Sequence, residues 1–195
     1  MERIPTKTNP TMFDYAAKQI QTALGGLSWL DHVFGIVEKL TDVKDGKKFS
    51  SANLYKANGQ YEQIMPCKEL GNFSYLMLRD PQTIGKDKTL VKSPYSLIVW
   101  YNMNTLSSPY DERNREAVKA EILGILSRPN FSWLTMNKIY ERPENIFSDF
   151  SYDYTNNQFL MAPYAGIRID GEMLVRVPCY NPPKPTEEPH AEGGE

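Results

Sequence analysis

The chain has 195 residues, with 22 lysines and arginines against 24 aspartates and glutamates, so its net charge of −2 gives no general attraction for nucleic acid or an anionic membrane surface. At 41% apolar and 24% charged residues it has the make-up of an ordinary folded domain, and its opening MERIPTKTNP lacks the apolar segment of a secretory signal. No apolar run approaches the roughly 18–20 residues of a membrane-spanning helix. The only cysteines, Cys67 and Cys179, are far apart and are expected to be free thiols in a chain made in a cytoplasm. Twelve tyrosines, eight phenylalanines and three tryptophans suit contact surfaces as well as a core.

In chain order, PTMFDYAAKQIQTALGG reads as a helix. Thr11 and Asp14 stand at capping-box spacing, Phe13, Ala16, Ala17, Ile20 and Leu24 share one face, and Gly25-Gly26 end it. In SWLDHVFGIVEKLTDVKDGKKFSSANLY, a helical opening at Ser28 and Asp31 competes with the hairpin signal Asp45-Gly46, which needs a strand on both sides. The pattern predicts a helical turn over 28–32 and a strand over 33–42, for which a helix stays open as an alternative. That strand pairs with 48–55, and a second hairpin through ANGQ leads to YEQIMP. NFSYLMLRDP predicts a strand ended by Pro81, and residues 82–94 a polar, lysine-bearing loop.

YSLIVWYNM is apolar on both parities, the pattern of a central strand covered on both faces. SSPYDERNREAVKAEILGILSRP then reads as the clearest helix. Ser108 caps it, Pro109 takes its first position and Asp111 completes the box. Val118, Ile122, Ile125 and Leu126 form its apolar stripe, and Pro129 stops it. FSWLTMNKIYE predicts a further strand, RPENIFSDF a short helix or turn, and YDYTNN a polar loop. Residues 181–195 hold several prolines and many charges but no apolar anchor, and read as an extended or disordered tail. The expected organisation is a single α+β domain over 1–180, with an antiparallel or mixed sheet, a central helix packed on it and an N-terminal helix, followed by the 181–195 tail.

Little in the sequence suggests chemistry. Of two histidines, His190 lies in the tail and His32 stands alone among apolar residues, as a hydrogen-bonded structural histidine does. The cysteines form no CxxC, and the adjacent carboxylates Asp111/Glu112 and Glu187/Glu188 sit at a helix start and in the tail. No phosphate-binding glycine motif occurs. No catalytic, metal or cofactor site is therefore expected, and the chain is not expected to be an enzyme. The trios Lys44, Lys47, Lys48 and Lys86, Lys88, Lys92 read first as solvated loops, and second as non-specific phosphate contacts.

The stretch FLMAPYAGIRIDGEMLVRVPC, 159–179, is more informative. Odd positions 167, 169, 173, 175, 177 and 179 are Ile, Ile, Met, Val, Val and Cys, while 168, 170, 172 and 176 are Arg, Asp, Glu and Arg. A tight hairpin at Asp170-Gly171 would set Ile169 opposite Glu172 and mix the two faces. One long strand of roughly 13 residues over 165–177 keeps the parity, against the usual five or six. Its alternating charges are either an ordinary solvated face or a complement to a second copy. On the latter reading Arg168, Asp170, Glu172 and Arg176, with Tyr164, are candidate subunit-interface residues.

The ordered phrases WLDHVFG, YEQIMPCKELGNFSYLMLRDPQ, SLIVWYNM, DERNREAVKAEIL and NKIYERPENIFSDFSYDYTNNQFLMAPYAGIRIDGEM, spanning 27–179, resemble small neck or tail proteins of Bacteroidetes phages and prophages, with crAss-like phages as a source. The element order is similar to that of phage tail-terminator proteins, which assemble as rings at the head–tail junction. The resemblance implies a structural virion protein, made in the host cytoplasm and located in the neck or tail. It would form a homo-oligomeric ring that joins head to tail, contact other neck, portal or tail proteins, and pass genomic DNA without reading its sequence, with no cofactor and no membrane. A cytoplasmic peptide- or ligand-binding module without catalysis stays open as the alternative.

Overall fold

The computed structural model describes residues 3–5, 10–44, 46–57, 59–86, 88–106, 115–151 and 157–177. The first amphipathic stretch forms helix α1 (Phe13–Leu24), which buries Phe13, Ala16, Ala17, Ile20 and Leu24 as its spacing predicts, and Gln21 besides. The expected Thr11 side-chain cap is not made. Met12 takes the N-cap position at φ 46, and it is the Thr11 carbonyl that accepts the Asp14 amide, at 2.9 Å.

Residues 28–29 make a turn without a helix, and the strand expected over 33–42 is divided. Strand β1 (His32–Ile36) belongs to a large sheet, whereas β2 (Glu38–Lys44) pairs antiparallel with β3 (Lys47–Ala57). The step between sheets falls at Val37, which is buried and donates its N–H to the Leu76 carbonyl at 2.8 Å. The β2–β3 turn closes at Lys44 opposite Lys47, with Gly46 at φ 74, and the next hairpin turns at Gly59 with φ 76 into β4 (Gln60–Ile64). Both positive angles suit glycine. Strands β2, β3 and β4 form a sheet of their own.

The large sheet adds β5 (Phe73–Leu78), β6 (Thr83–Ile84), β7 (Leu90–Asn102), β8 (Leu134–Tyr140) and β9 (Tyr164–Arg176). Its order is β1-β5-β7-β9-β8, with β6 attached to β7; β1 and β5 are parallel and the other pairs antiparallel. The architecture is α+β with a mixed sheet and few helices. The apolar strand at 95–103 is central as expected, but it starts earlier, at Leu90. Much of the supposed loop 82–94 is thereby strand, with Thr83 and Ile84 opposite Lys92 and Val91.

Both faces of this sheet are covered. Helices α1 and α2 (Arg115–Leu126) lie on one side, where Val118, Ile122, Ile125 and Leu126 join Ile20, Leu97, Val99 and Ile167 in one core. The caps read at Ser108, Pro109 and Asp111 lie outside the described residues, as do most of the YDYTNN loop and the whole 181–195 tail. On the other side, Tyr75, Ile98 and Trp100 pack with Leu54 and Ile64 of the small sheet, and with Ile146, Phe147 and Phe150 at and after α3 (Pro143–Ile146). Among the described residues no helix is long and apolar enough to cross a membrane.

Strand β9 runs unbroken through Asp170-Gly171, in register with β7 from Asn102 opposite Tyr164 to Leu90 opposite Arg176. Its two glycines are demanded by space. Gly166 lies opposite Trp100 and Gly171 opposite Tyr95, and a Cβ at either would overlap that aromatic ring. At 171 it would also strike the Thr135 carbonyl, brought close beside a bulge in β8 between Met136 and Lys138. The room over Gly171 lets the Tyr95 hydroxyl donate to that same carbonyl at 3.2 Å. Gly171→Ala is expected to cost about 1–3 kcal/mol of stability in chemical denaturation, as overpacking against backbone does. An unchanged midpoint would contradict this packing.

Candidate subunit interface

Of the five residues singled out as an interface, Arg168 sits deepest within the subunit. It is 4% exposed, and Asn145, Ser148, Asp149 and Asp170 bond its guanidinium. The sequence pattern assigned the even positions of β9 to solvent or a neighbour. The segment after β8 instead crosses that face and roofs it over: α3 packs on β9, and Asn145, Ser148 and Asp149 reach Arg168.

The guanidinium is held from several directions. Its Nε and Nη2 donate to the two carboxylate oxygens of Asp170 at 2.7 and 3.1 Å, a bidentate pair. Its Nη1 donates to Ser148 Oγ at 2.7 Å, Asp149 Oδ2 at 2.9 Å and the Asn145 carbonyl at 3.2 Å. Its carbon lies 5.6 Å from the centre of the Tyr140 ring. Arg79 closes the circuit by pairing with Asp149 and donating to Ser96 Oγ at 2.6 Å, while Ser96 Oγ lies 2.6 Å from Asp170 Oδ1. Two cations thus face two anions beneath a helical roof.

Burial pushes the Asp170 carboxyl upward, but hydrogen bonds from Arg168 and Ser96 outweigh it and hold the group below its ordinary value. Burial likewise works against the charged Arg168, and the Asp170 hydrogen bond overrides it. Both groups stay ionised in the fold.

The other three candidates lie apart from that cluster. Glu172 pairs with Lys92 across the β7–β9 ladder at 2.7 Å, both partly exposed, and Arg176 is exposed at the strand's end. Tyr164, at the strand's start, packs edge-on against Phe159 with ring centres 5.4 Å apart. These two rings wall an open cleft of about 680 Å³, which Asn72, Asn102, Lys68 and Cys67 also line. The floor is rigid: Asn72, 2% exposed, donates to the Trp29 carbonyl and to Thr105 Oγ1, and its Oδ1 accepts the Asn102 amide at 2.7 Å. Cys67 is a half-buried free thiol whose pKa is raised chiefly by burial, which makes it a poor nucleophile at neutral pH. Cys179 lies outside the described residues.

A second surface lies on the small sheet. Residues 41–43 of β2 and 46–48 at the start of β3 are exposed on both faces, so the end of this hairpin is a ribbon with no core side. Val43 is 63% exposed, and the cross-strand pair Tyr55 and Tyr61 is over 40% exposed on the same sheet. Lys47 and Lys48 stand on the ribbon, while Lys86 and Lys88 stand on the turn between β6 and β7. His32 stacks on Phe34 with ring centres 5.5 Å apart. Among the described residues no three His, Cys, Asp or Glu side chains converge as metal ligands would.

Sequence reasoning missed Arg79, Ser96 and Asp149 as the partners of Arg168 and Asp170, because residues 17 to 74 positions apart carry no local signal of meeting. It also missed the cleft, whose walls come from loops. The buried pair has a measurable signature. Arg168→Met is expected to cost about 3–5 kcal/mol, the usual penalty for leaving a buried charge unpaired. The depressed Asp170 pKa contributes stability that is fully present above the unfolded carboxyl value of about 3.9 and is lost as pH falls through the lower folded value. The deficit of Asp170→Asn in urea denaturation is therefore expected to be full at pH 7 and to shrink below about pH 4. A pH-independent deficit would contradict the assignment.

No protein-family model matches the chain, and no curated protein matches it either.

Proposed function

We propose that this chain is a structural virion protein, a subunit of a homo-oligomeric ring in the neck or tail of a phage, with a tail-terminator-like arrangement of helices on a sheet. In this reading it joins head to tail, contacts other neck, portal or tail proteins, lets genomic DNA pass and performs no catalysis. The order of sequence phrases across 27–179 supports the reading. The observation that carries it is the β2–β3 ribbon. A two-stranded ribbon without a core face is marginal by itself in water, and burial against another subunit would stabilise it. In this reading, with Arg168 buried within the subunit, the contact is made by the ribbon and the ends of the long strands.

The mass of the purified protein tests the proposal. A ring would weigh many times 22.4 kDa, alone or once mixed with its virion partners. Val43→Asp is expected to weaken assembly while changing subunit stability by no more than about 0.5 kcal/mol, as surface substitutions do. A species that stays monomeric at its highest soluble concentration, and is missing from purified particles, would overturn the ring. That outcome would favour the second reading, a non-catalytic peptide- or ligand-binding module, which the cleft beside Tyr164 supports.

A DNA conduit carries its own expectation. Binding to duplex DNA should be weak, should fall steeply with salt and should not depend on sequence, because exposed lysines such as Lys47, Lys48, Lys86 and Lys88 would meet phosphates without reading bases. Tight preference for one duplex sequence at physiological salt would contradict passage without readout.

A further inference from the structure

We propose that the cleft beside Tyr164 receives the proline-rich segment 182–189 from a second copy of this chain, joined head to tail. The inference deepens the ring reading and rests on it for the second copy.

The cleft suits such a guest. Phe159, Tyr164, Met161 and Pro163 make its walls largely apolar and aromatic, and Met161 is 65% exposed. Lys68 supplies its charge, and the Asn72 hydrogen bonds fix its floor before anything binds. The sequence NPPKPTEEP at 181–189 is the complement. Pro182, Pro183 and Pro185 each restrict φ to about −65°, which favours an extended polyproline helix. Such a segment loses little entropy on docking, and aromatic-lined grooves are its usual receptors. Glu187 and Glu188 follow Pro185 closely enough to meet Lys68.

Geometry makes the contact intermolecular. The chain leaves β9 at Val177, whose amide donates to the Thr89 carbonyl, at the opposite end of the β7–β9 ladder from Asn102 and Tyr164. Thirteen residues of strand separate Tyr164 from Val177, about 43 Å at ~3.3 Å per residue. Eight residues from Val177 to Pro185 span at most about 29 Å. A chain's Pro182, Pro183 and Pro185 therefore fall short of its own cleft, and Pro189, twelve residues past Val177, spans about 43 Å only when fully extended, while the cleft of a copy placed end to end is within reach. Each copy then gives a segment at one end and accepts one at the other, a heterologous contact that closes into a ring when the rotation permits.

Burial makes Cys67 a slow probe, so Cys67→Ser with Met161→Cys moves the cleft thiol to an exposed lining residue in every variant below. In the full-length chain, Cys179→Ser with Pro185→Cys leaves one thiol in the tail and one in the cleft. A short bismaleimide is expected to give a ladder of covalent dimers, trimers and larger species on a denaturing gel. Cys179→Ser with Thr186→Cys should do the same with every proline retained. Excess synthetic peptide 178–195 should erase the ladder. Phe159→Ala or Lys68→Glu should raise the peptide concentration needed by about tenfold, the scale of one aromatic or charged contact. No ladder, or only cross-links within one chain, overturns the inference; that includes the case in which residues 107–114 or 152–156 fill the cleft. Native mass of the same sample separates the two ideas. A ring without a ladder leaves the ring standing and removes the tail contact, whereas a ladder of open chains that never close supports the tail contact and removes the ring.

Discussion

Strands β7 and β9 pair along their whole length, from Leu90 opposite Arg176 to Asn102 opposite Tyr164, and this ladder places the other elements. It can be so long and so thoroughly covered because each face carries one notch, an aromatic ring of β7 lying over a glycine of β9. Tyr95 fills the notch at Gly171 on the helix side and Trp100 the notch at Gly166 on the other. Each notch lets a large ring lie flat against the sheet, so a second layer can close over it. Trp100 meets Phe147 in this way, edge-on with ring centres 5.0 Å apart.

The charge cluster lies on that second face. Removing Arg168, Asp170, Asp149 and Arg79 from water is costly, and their mutual attraction repays it only because most lone pairs and protons find partners. An apolar replacement of equal volume would hold the layers together as well. What the ions add is register, since a bidentate Arg168–Asp170 pair met by Ser148 and Asp149 admits one seating of the 143–151 segment. The same face includes two costs. Among the described residues Tyr75 Oη and Trp100 Nε1 are buried without a hydrogen-bond partner, and burial, with the nearby Asp149 charge, pushes the Tyr75 phenol far above its ordinary pKa. Each unsatisfied group costs about 1–3 kcal/mol. The aromatic packing there has to exceed that cost.

What the sequence conveyed follows from how local each signal is. The stripe at 118, 122, 125 and 126 and the turns at Gly46 and Gly59 are written within a few residues, and the structure contains them. The continuity of β9 was legible because a turn at Gly171 would have broken a parity that runs on both sides of it. The division at Val37 was not, since which sheet receives a strand depends on a partner some 40 residues away at Leu76. The solvent-facing reading of Arg168 failed for the same reason. Alternating charge states which side chains share a face; what covers that face is decided by 143–151, a stretch whose own pattern names no partner. Tyr164 was named for the interface without any sign of a cleft, because the cleft is made where loops meet.

The open ribbon raises a last physical question, how the chain tolerates it in water. Strand β2 is the outer strand of its sheet and would template any passing strand if left plain. Its sequence EKLTDVK interrupts the apolar residues with charges at nearly every step, and Lys47 and Lys48 continue them on β3. Such charges oppose indiscriminate strand addition while leaving a pattern that a complementary surface can match. The ribbon is meanwhile held near its base, where Ser50 donates its amide to Ser151 Oγ at 3.1 Å and accepts the Ser151 amide at 2.8 Å. Ser151 ends the segment that roofs Arg168, so the buried charge cluster and the projecting ribbon share one tether. A change that loosened the roof would thus also loosen the base of the ribbon, linking the order of the interior to the orientation of this exposed surface.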